Sequence, residues 1–442
     1  MTTLRRLSAR APDPVRVGIT GAGFVARGLV HQLKLTPGLE PSLIVSRRPD
    51  RAVAAFRESG YGRSEIVITD DHETAEEVIG EGRRVVTTEV ALIEHIAGFD
   101  VLVEATGDVQ YGAISCLRAL DGGKHVVSLN FEMEATVGPL LAEYGRHRNL
   151  VYTGSDGDQP GVMMRLVEYV RGIGLEVVAA VNCKGFLDYH ATPESIKPWA
   201  ERQGTSLKMT TAFTDGTKMN VENCCVANAT GLRVARRGMI GVETTLAHAL
   251  DDFSAALEET GVVDYTLGGD FGSGVFVIAG GADPELAAPY LSYLKMGSGP
   301  WYLFFRPWHL VQFETPLSIA EAVLDGLATI APPGGPTSQV IAHAKRGLVK
   351  GDALDEIGGR DHYGLVDNLS DCEGQLPVGL AEGAAMSRDL AIDQPIALDD
   401  VELDEDSPIF KLWIAQTESF SDSVDPEPVV RAWDRIKAEH GG

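Results

Sequence analysis

The stretch that most constrains this chain runs from Val15 to Leu33, VRVGITGAGFVARGLVHQL, where an apolar β-branched run breaks into glycines and restarts as a helix. That order predicts the first strand, turn and first helix of a dinucleotide-binding unit. Gly21 permits the sharp turn after the strand, and Gly23 lacks a side chain where backbone must approach a pyrophosphate. The helix opening at Phe24 and Val25 aims its unpaired N–H groups and positive dipole end at that anion. Ala26 stands where a third glycine is usual, a substitution the pattern tolerates. Strand-turn-helix units without a coenzyme also bend on glycines, so context must strengthen the assignment.

Pro41 to Ser46 reads as a second strand, and it ends in Arg47 and Arg48. An NAD-preferring unit places Asp or Glu there to hold the ribose 2′-hydroxyl, whereas arginine accommodates the 2′-phosphate of NADP. The expected coenzyme is therefore NADP(H), held by Gly21, Gly23, Phe24, Val25, Ala26, Ser46, Arg47 and Arg48. A buried parallel strand then ends in Glu104-Ala105-Thr106-Gly107, a helix spans Gly112 to Ala119, and a further strand runs from Gly123 to Asn130. Ligands bind at the carboxyl ends of such strands, which makes Ala105, Thr106, Gly107 and Asn130 coenzyme-edge candidates.

The length of 442 residues calls for two or three domains. A formal charge of −25 offers no long-range attraction to nucleic acid or an anionic membrane. No stretch is long and apolar enough to span a bilayer. Five cysteines, Cys116, Cys183, Cys224, Cys225 and Cys372, show no metal-site spacing and fit a reducing cytoplasm. The leading MTTLRRLSARAPDP carries basic charge without an apolar core and reads as a disordered lead-in.

The most chemically loaded stretch lies between Val181 and Gly231, with Lys184, Asp188, His190, Lys208, Lys218, Glu222 and Asn228. Lys218 to Ala227 has apolar or small side chains on more than one face, which predicts a largely buried helix with Lys218 and Glu222 sharing one side. A charged pair on a buried helix is costly unless paired or used. For Glu222 a structural ion pair and a functional role both stand. Lys218 follows a glycine turn near a helix start, and Lys184 closes the strand EVVAAVNCK. Lysine suits two tasks there, a point charge for a phosphate or carboxylate and a proton donor to a carbonyl receiving hydride. The catalytic candidates are thus Lys184, Lys218, Glu222, Asp188 and Lys208. His190 and His309 read as packed or solvated histidines.

Beyond Gly261 the chain turns glycine- and aromatic-rich, consistent with a substrate-domain sheet. Pro316 to Ala328 is an amphipathic helix expected to return to the nucleotide domain. After APPGGP the segments HAKRGLVKGDALDEIGG and MSRDLAIDQPIALDDVEL echo one another as short β units, and VVRAWDRIKAEH closes the chain as a helix.

The series GAGFVA, DVLVEATG, GGKHVVSLN, GSDGDQPG and NCKG resembles homoserine dehydrogenase and its relatives. Those enzymes follow the asparagine with a catalytic lysine, whereas Asn130 is followed by Phe131 and Glu132. The set CKGFLDYHATPESI, SLKMTTAFTDGTKMNVE, VANATGL, RGMIGVETT and YLKMGSGPWYLFFRPWHL resembles the 1-deoxy-D-xylulose 5-phosphate reductoisomerase-like family across nearly the whole chain. That resemblance implies an α/β fold: a doubly wound Rossmann sheet over residues 1–160, an α+β substrate and dimerisation domain over 161–330, and a β-rich SAF-like domain with the tail over 331–442. It also implies an NADPH-dependent reductoisomerase acting on a small phosphorylated keto or hydroxy compound, such as the pair 1-deoxy-D-xylulose 5-phosphate and 2-C-methyl-D-erythritol 4-phosphate on the route to isoprenoids, in a cytoplasmic homodimer or higher homo-oligomer. Other polyol phosphates, a homoserine-like substrate and a non-catalytic NADP-binding regulator remain as alternatives. Rearrangement before hydride transfer commonly uses a divalent metal. Glu132, Glu134 and Asp156 are the acidic residues placed to hold Mg²⁺ or Mn²⁺ through oxygen.

Overall fold

A computed structural model describes residues 2–281, 283–421 and 424–440. The chain forms two compact units, each threaded by separate segments. Unit 1 comprises 1–158, 310–335 and 406–442, and unit 2 comprises 159–309 and 336–405.

Unit 1 opens with α1 (Thr3–Ala9), β1 (Val15–Thr20), α2 (Phe24–Leu35), β2 (Leu39–Val45), α3 (Pro49–Glu58), β3 (Ile66–Ile68), α4 (His72–Gly80), β4 (Arg84–Thr87), α5 (Leu92–His95), β5 (Val101–Glu104), α6 (Val109–Asp121), β6 (His125–Ser128), α7 (Phe131–His147) and β7 (Tyr152–Gly154). Its seven strands are all parallel, in the order β3-β4-β2-β1-β5-β6-β7. Strands buried on both faces read as continuous Val, Ile and Leu runs, which is what VLVE and HVVS show. The strand order reverses at β1, so the β1–β5 crevice is the topological switch point where such sheets take ligands.

Unit 2 continues with α8 (Gln159–Gly172), β8 (Leu175–Lys184), α9 (Pro193–Gln203), α10 (Leu207–Thr214), α11 (Thr217–Thr230), β9 (Arg233–Val234), β10 (Val242–Glu243), α12 (Ala249–Ala256), β11 (Val262–Leu267), β12 (Val275–Gly281), α13 (Pro284–Tyr293) and β13 (Trp301–Arg306). Its mixed sheet runs β10-β11-β8-β12-β13, with β9 also on β11. The β10, β11 and β8 pairings are parallel, and β12 is antiparallel to both neighbours.

The helix α14 (Val311–Asp325) belongs to unit 1, as the amphipathic pattern of 316–328 predicts, and it packs on α1 and α2. The lead-in reading of the N-terminus needs correction. Thr3–Ala9 is helical, Leu7 is buried in the unit 1 core, and Arg6 and Thr3 both bond Asp325 of α14. One apolar residue and two polar anchors suffice to dock a short segment whose composition alone signals disorder.

The expected domain boundaries also change. Residues 331–442 do not form one β-rich module. Segment 336–405 folds into unit 2 through the antiparallel pair β14 (Ser338–Ala344) and β15 (His362–Asn368) and the short pair β16 (Ala385–Met386) and β17 (Val401–Glu402). The physical reason is α11, whose polar Thr217 and Asn220 accept the Gly364 and Val366 N–H groups of β15, both at 2.9 Å. The tail forms α15 (Pro408–Ser419) and α16 (Glu427–His440) and joins unit 1, where Leu412, Trp433 and Ile436 share one core with Leu117 and Leu140. No helix among the described residues is long and apolar enough to cross a membrane.

Candidate functional site

In unit 1 the chain turns sharply at Gly21 directly after β1. Gly21 has φ +93°, and a Cβ there would lie 2.8 Å from the Ala105 carbonyl oxygen, so β1 and β5 could not approach as they do. Gly23 forms the N-cap of α2, and a Cβ built on it meets nothing within 4 Å. Open space above the helix N-terminus suits a phosphate. Of the residues predicted to hold coenzyme, Gly21, Gly23, Ser46, Arg47, Arg48, Ala105 and Thr106 line one cleft. Ala22, Val45, Arg51 and Tyr111 line it too and escaped the sequence reading. Arg51 falls one turn into α3, so its position at the cleft depends on helix phase as well as on strand end.

The remaining predicted contacts are not among the residues that line this cleft. Phe24 and Val25 begin α2, Ala26 is buried in the core, and Gly107 is exposed with φ +70°. Asn130 is fully buried; its Oδ1 caps α7 by accepting the Met133 N–H at 3.1 Å, and its Nδ2 donates to the Asp108 carbonyl at 2.9 Å. Its amide is taken up by the α7 cap, the Asp108 carbonyl and the neighbouring Glu104 carboxyl, which corrects its reading as a coenzyme contact. Arg47 lies over the Tyr111 ring at 5.5 Å and 3.5 Å from the Asp108 carboxylate, yet keeps 74% of its side chain exposed. An exposed, loosely paired guanidinium is free to meet a phosphate.

The proposed metal carboxylates do not converge. Glu134 is buried and accepts the Tyr152 hydroxyl at 2.8 Å, with burial pushing its carboxyl up to about 7. Asp156 accepts its neighbour's Gly157 N–H at 2.9 Å, and Glu132 stands in the first turn of α7. Among the described residues no group of three or more His, Cys, Asp or Glu is placed to hold a metal.

In unit 2 the loaded stretch assembles around the end of β8. Asn182 and Lys184 are two apart on one strand and therefore share a face. Glu222 of the buried helix α11 meets both. Asn182 Nδ2 donates to Glu222 Oε2 at 2.8 Å, and Lys184 Nζ lies 3.7 Å from the same oxygen. Lys184 Nζ also donates to Gln159 Oε1 at 3.4 Å and lies 5.7 Å from the Phe213 ring centroid. Glu222 is almost wholly buried while Lys184 keeps 14% of its side chain exposed. An ammonium has three donors. With Gln159 accepting one and Glu222 balancing the charge, Lys184 can still donate to a ligand oxygen.

Lys218 sits one turn before Glu222 on the same side of α11, half-buried. The other two candidates have different partners. Asp188 is exposed and accepts the His190 N–H at 3.1 Å, which shapes its own turn. Lys208 forms a part-exposed ion pair with Glu356 at 2.8 Å. Asn182, Gln159 and Phe213 were missed, because nothing local marks a residue whose partner lies about 25 to 40 positions away in the chain. His190 is half-exposed and pairs with Asp393 at 2.7 Å, and the His309 ring shares a hydrogen bond with the Ser273 carbonyl at 2.5 Å.

Residues 157–315 match the family model described as the catalytic domain of oxidoreductase DRL. The match contains Lys184, Lys218 and Glu222 and covers under half of the chain. Similar solved structures include a 3-ketoreductase from Actinomadura kijaniata in complex with NADP and TDP-benzene, at 16% identity and TM-score 0.37 over 72% of this chain and 91% of that one. A probable dehydrogenase from Thermotoga maritima reaches TM-score 0.43 at 11% identity over 72% and 91%. A DOX-P reductoisomerase in complex with NADPH, fosmidomycin and magnesium reaches 0.33 at 13% over 48% and 58%. No curated protein matches. The matched range 157–315 runs from α8 into α14 and includes β8 and α11.

Proposed function

We propose that this chain is an NADP(H)-dependent oxidoreductase acting on a small phosphorylated keto or hydroxy compound, of the reductoisomerase-like kind. The observation that carries the reading is the Lys184–Glu222–Asn182 cluster at the carboxyl end of β8, a charged group set into a buried frame at a cost only pairing or use offsets. The cleft with Gly21, Gly23, Arg47 and Arg48 is fit for the coenzyme, which supplies hydride chemistry when bound.

Within unit 2, Glu222 holds Lys184 by charge while Asn182 fixes the carboxylate. Lys184 then donates a hydrogen bond or proton to a substrate carbonyl oxygen where negative charge develops, and takes the proton back in the oxidative direction. Lys218 offers a second positive charge for a substrate phosphate. NADPH oxidation followed at 340 nm with 1-deoxy-D-xylulose 5-phosphate and with aspartate semialdehyde tests the substrate. Turnover of the first supports the reading. Turnover of the second alone refutes it in favour of a homoserine-like dehydrogenase.

A further inference from the structure

A buried polar chain in unit 1 is explained neither by the glycine turn nor by the arginines. Glu104 closes β5, in register with Thr20 of β1 and Ser128 of β6, and its side chain is wholly enclosed. Its Oε1 accepts the Thr106 N–H at 2.9 Å and the Thr106 hydroxyl as well. Its Oε2 has no close hydrogen-bond partner among the described residues, and the Asn130 amide lies alongside the carboxyl. The Thr106 hydroxyl in turn accepts the Asp108 N–H at 3.3 Å. Asp108 caps α6 by accepting the Tyr111 N–H at 2.9 Å, and its other oxygen lies 3.5 Å from Arg47. Thr106, Tyr111 and Arg47 all line the cleft. A continuous path thus leads from a buried carboxyl to the cation at the mouth of the site. A hydrocarbon at position 104 would avoid the desolvation cost of the carboxyl but would leave the two Thr106 donors without their acceptor.

We propose that Glu104 is a positioning residue for the coenzyme, which sets the 105–108 turn through Thr106 and, through Asp108, the direction of the Arg47 guanidinium. This rests on the reading of the cleft as an NADP(H) site. Burial pushes the Glu104 carboxyl up to about 7, so its charge changes in the neutral range. The titratable groups that face it are Asp108 before α6, Tyr111 and Cys116 on α6, Glu134 on α7 and Tyr152 on β7, none of them cationic. Ionised, Glu104 is the stronger acceptor for the two Thr106 donors, and the turn tightens as pH rises through that range.

The test titrates NADPH and NADH by fluorescence into the full-length protein, Glu104→Gln and Glu104→Ala from pH 6 to 8.5, with thermal melts of each. In Glu104→Ala the NADPH affinity falls about tenfold, the scale of one charge-assisted hydrogen bond, and the NADPH-to-NADH ratio falls with it. Glu104→Gln keeps the acceptor oxygen, so it restores the ratio but loses part of the pH dependence. The 2′-phosphate's own titration near pH 6 is common to both proteins and cancels in the comparison. A folded Glu104→Ala protein with the unmodified ratio overturns the proposal. If Glu104→Ala does not fold, Glu104→Gln decides alone, and a pH profile superimposable on that of the unmodified protein overturns it. Failure of the unmodified protein to bind either coenzyme overturns the coenzyme reading itself and this proposal with it.

Discussion

Replacing Lys345 with methionine tests whether segment 336–405 is part of the frame that holds α11. Lys345 Nζ donates to Asp215 Oδ2 at 2.7 Å, with the two side chains 1% and 0% exposed, and to the Gly359 carbonyl at 2.8 Å. Asp215 Oδ1 accepts the Thr217 N–H at 2.9 Å, so this pair pins the turn from which α11 carries Lys218 and Glu222. Lys345→Met keeps the stem's bulk and strands a carboxylate in the interior, which costs about 3–5 kcal/mol. For a unit of this size each kcal/mol moves the midpoint about 2–4 °C, so the unit 2 melting transition drops about 6–20 °C. Burial already outweighs Lys345 in pushing the Asp215 carboxyl above its ordinary range. Its ionised form is therefore the costly one. Without Lys345 the group takes up a proton more readily still, and the deficit shrinks as pH falls from 8 to 5. Asp215→Asn with Lys345→Met removes both charges and recovers most of the loss. Thermal melts followed by circular dichroism at both pH values read all of this. A Lys345→Met midpoint within 2 °C of the unmodified protein, or a double variant no better than the single, would refute the ion pair's role.

Lys184→Ala lowers kcat by about 10²–10⁴ while leaving the NADPH dissociation constant unchanged, and stopped-flow turnover beside a binding titration separates the two. Undiminished kcat removes Lys184 from the chemistry. Arg47→Ala with Arg48→Ala weakens NADPH about 10–100-fold and leaves NADH unaltered, since only the 2′-phosphate loses its partners. Equal losses for both coenzymes would contradict the phosphate assignment. Glu134, raised by burial to about 7, prefers its neutral form in the fold, so its contribution to stability is lost as pH rises through that value. Glu134→Gln therefore gains on the unmodified protein between pH 5 and 8, by at most about 3 kcal/mol, in urea unfolding at the two pH values. A constant difference between the two proteins would refute it.

What the sequence discloses and what it hides divide along the range of the interactions involved. Gly21 is legible because only glycine holds φ +93° so close to the Ala105 carbonyl. Arg47 and Arg48 are legible because they end a strand next to that turn. Lys184 and Glu222 stand out because charge on buried elements demands a reason. Asn182 carries no such mark. Its place beside Glu222 depends on how α11 settles on β8, and no local pattern encodes that register. The same holds at larger scale for the tail. The apolar stripe of α16 announces that Val429, Trp433 and Ile436 must be buried against something, and Lys437 that it needs a partner. That the partner is the end of α6, with Trp433 Nε1 donating to Asp121 Oδ2 at 2.8 Å, follows only once unit 1 has formed and left that surface open. A domain reading that cuts the chain into consecutive blocks fails here for a physical reason. Segments 310–335 and 406–442 bury their apolar faces against elements laid down hundreds of residues earlier. The local periodicity that predicts each helix is silent about which sheet it covers.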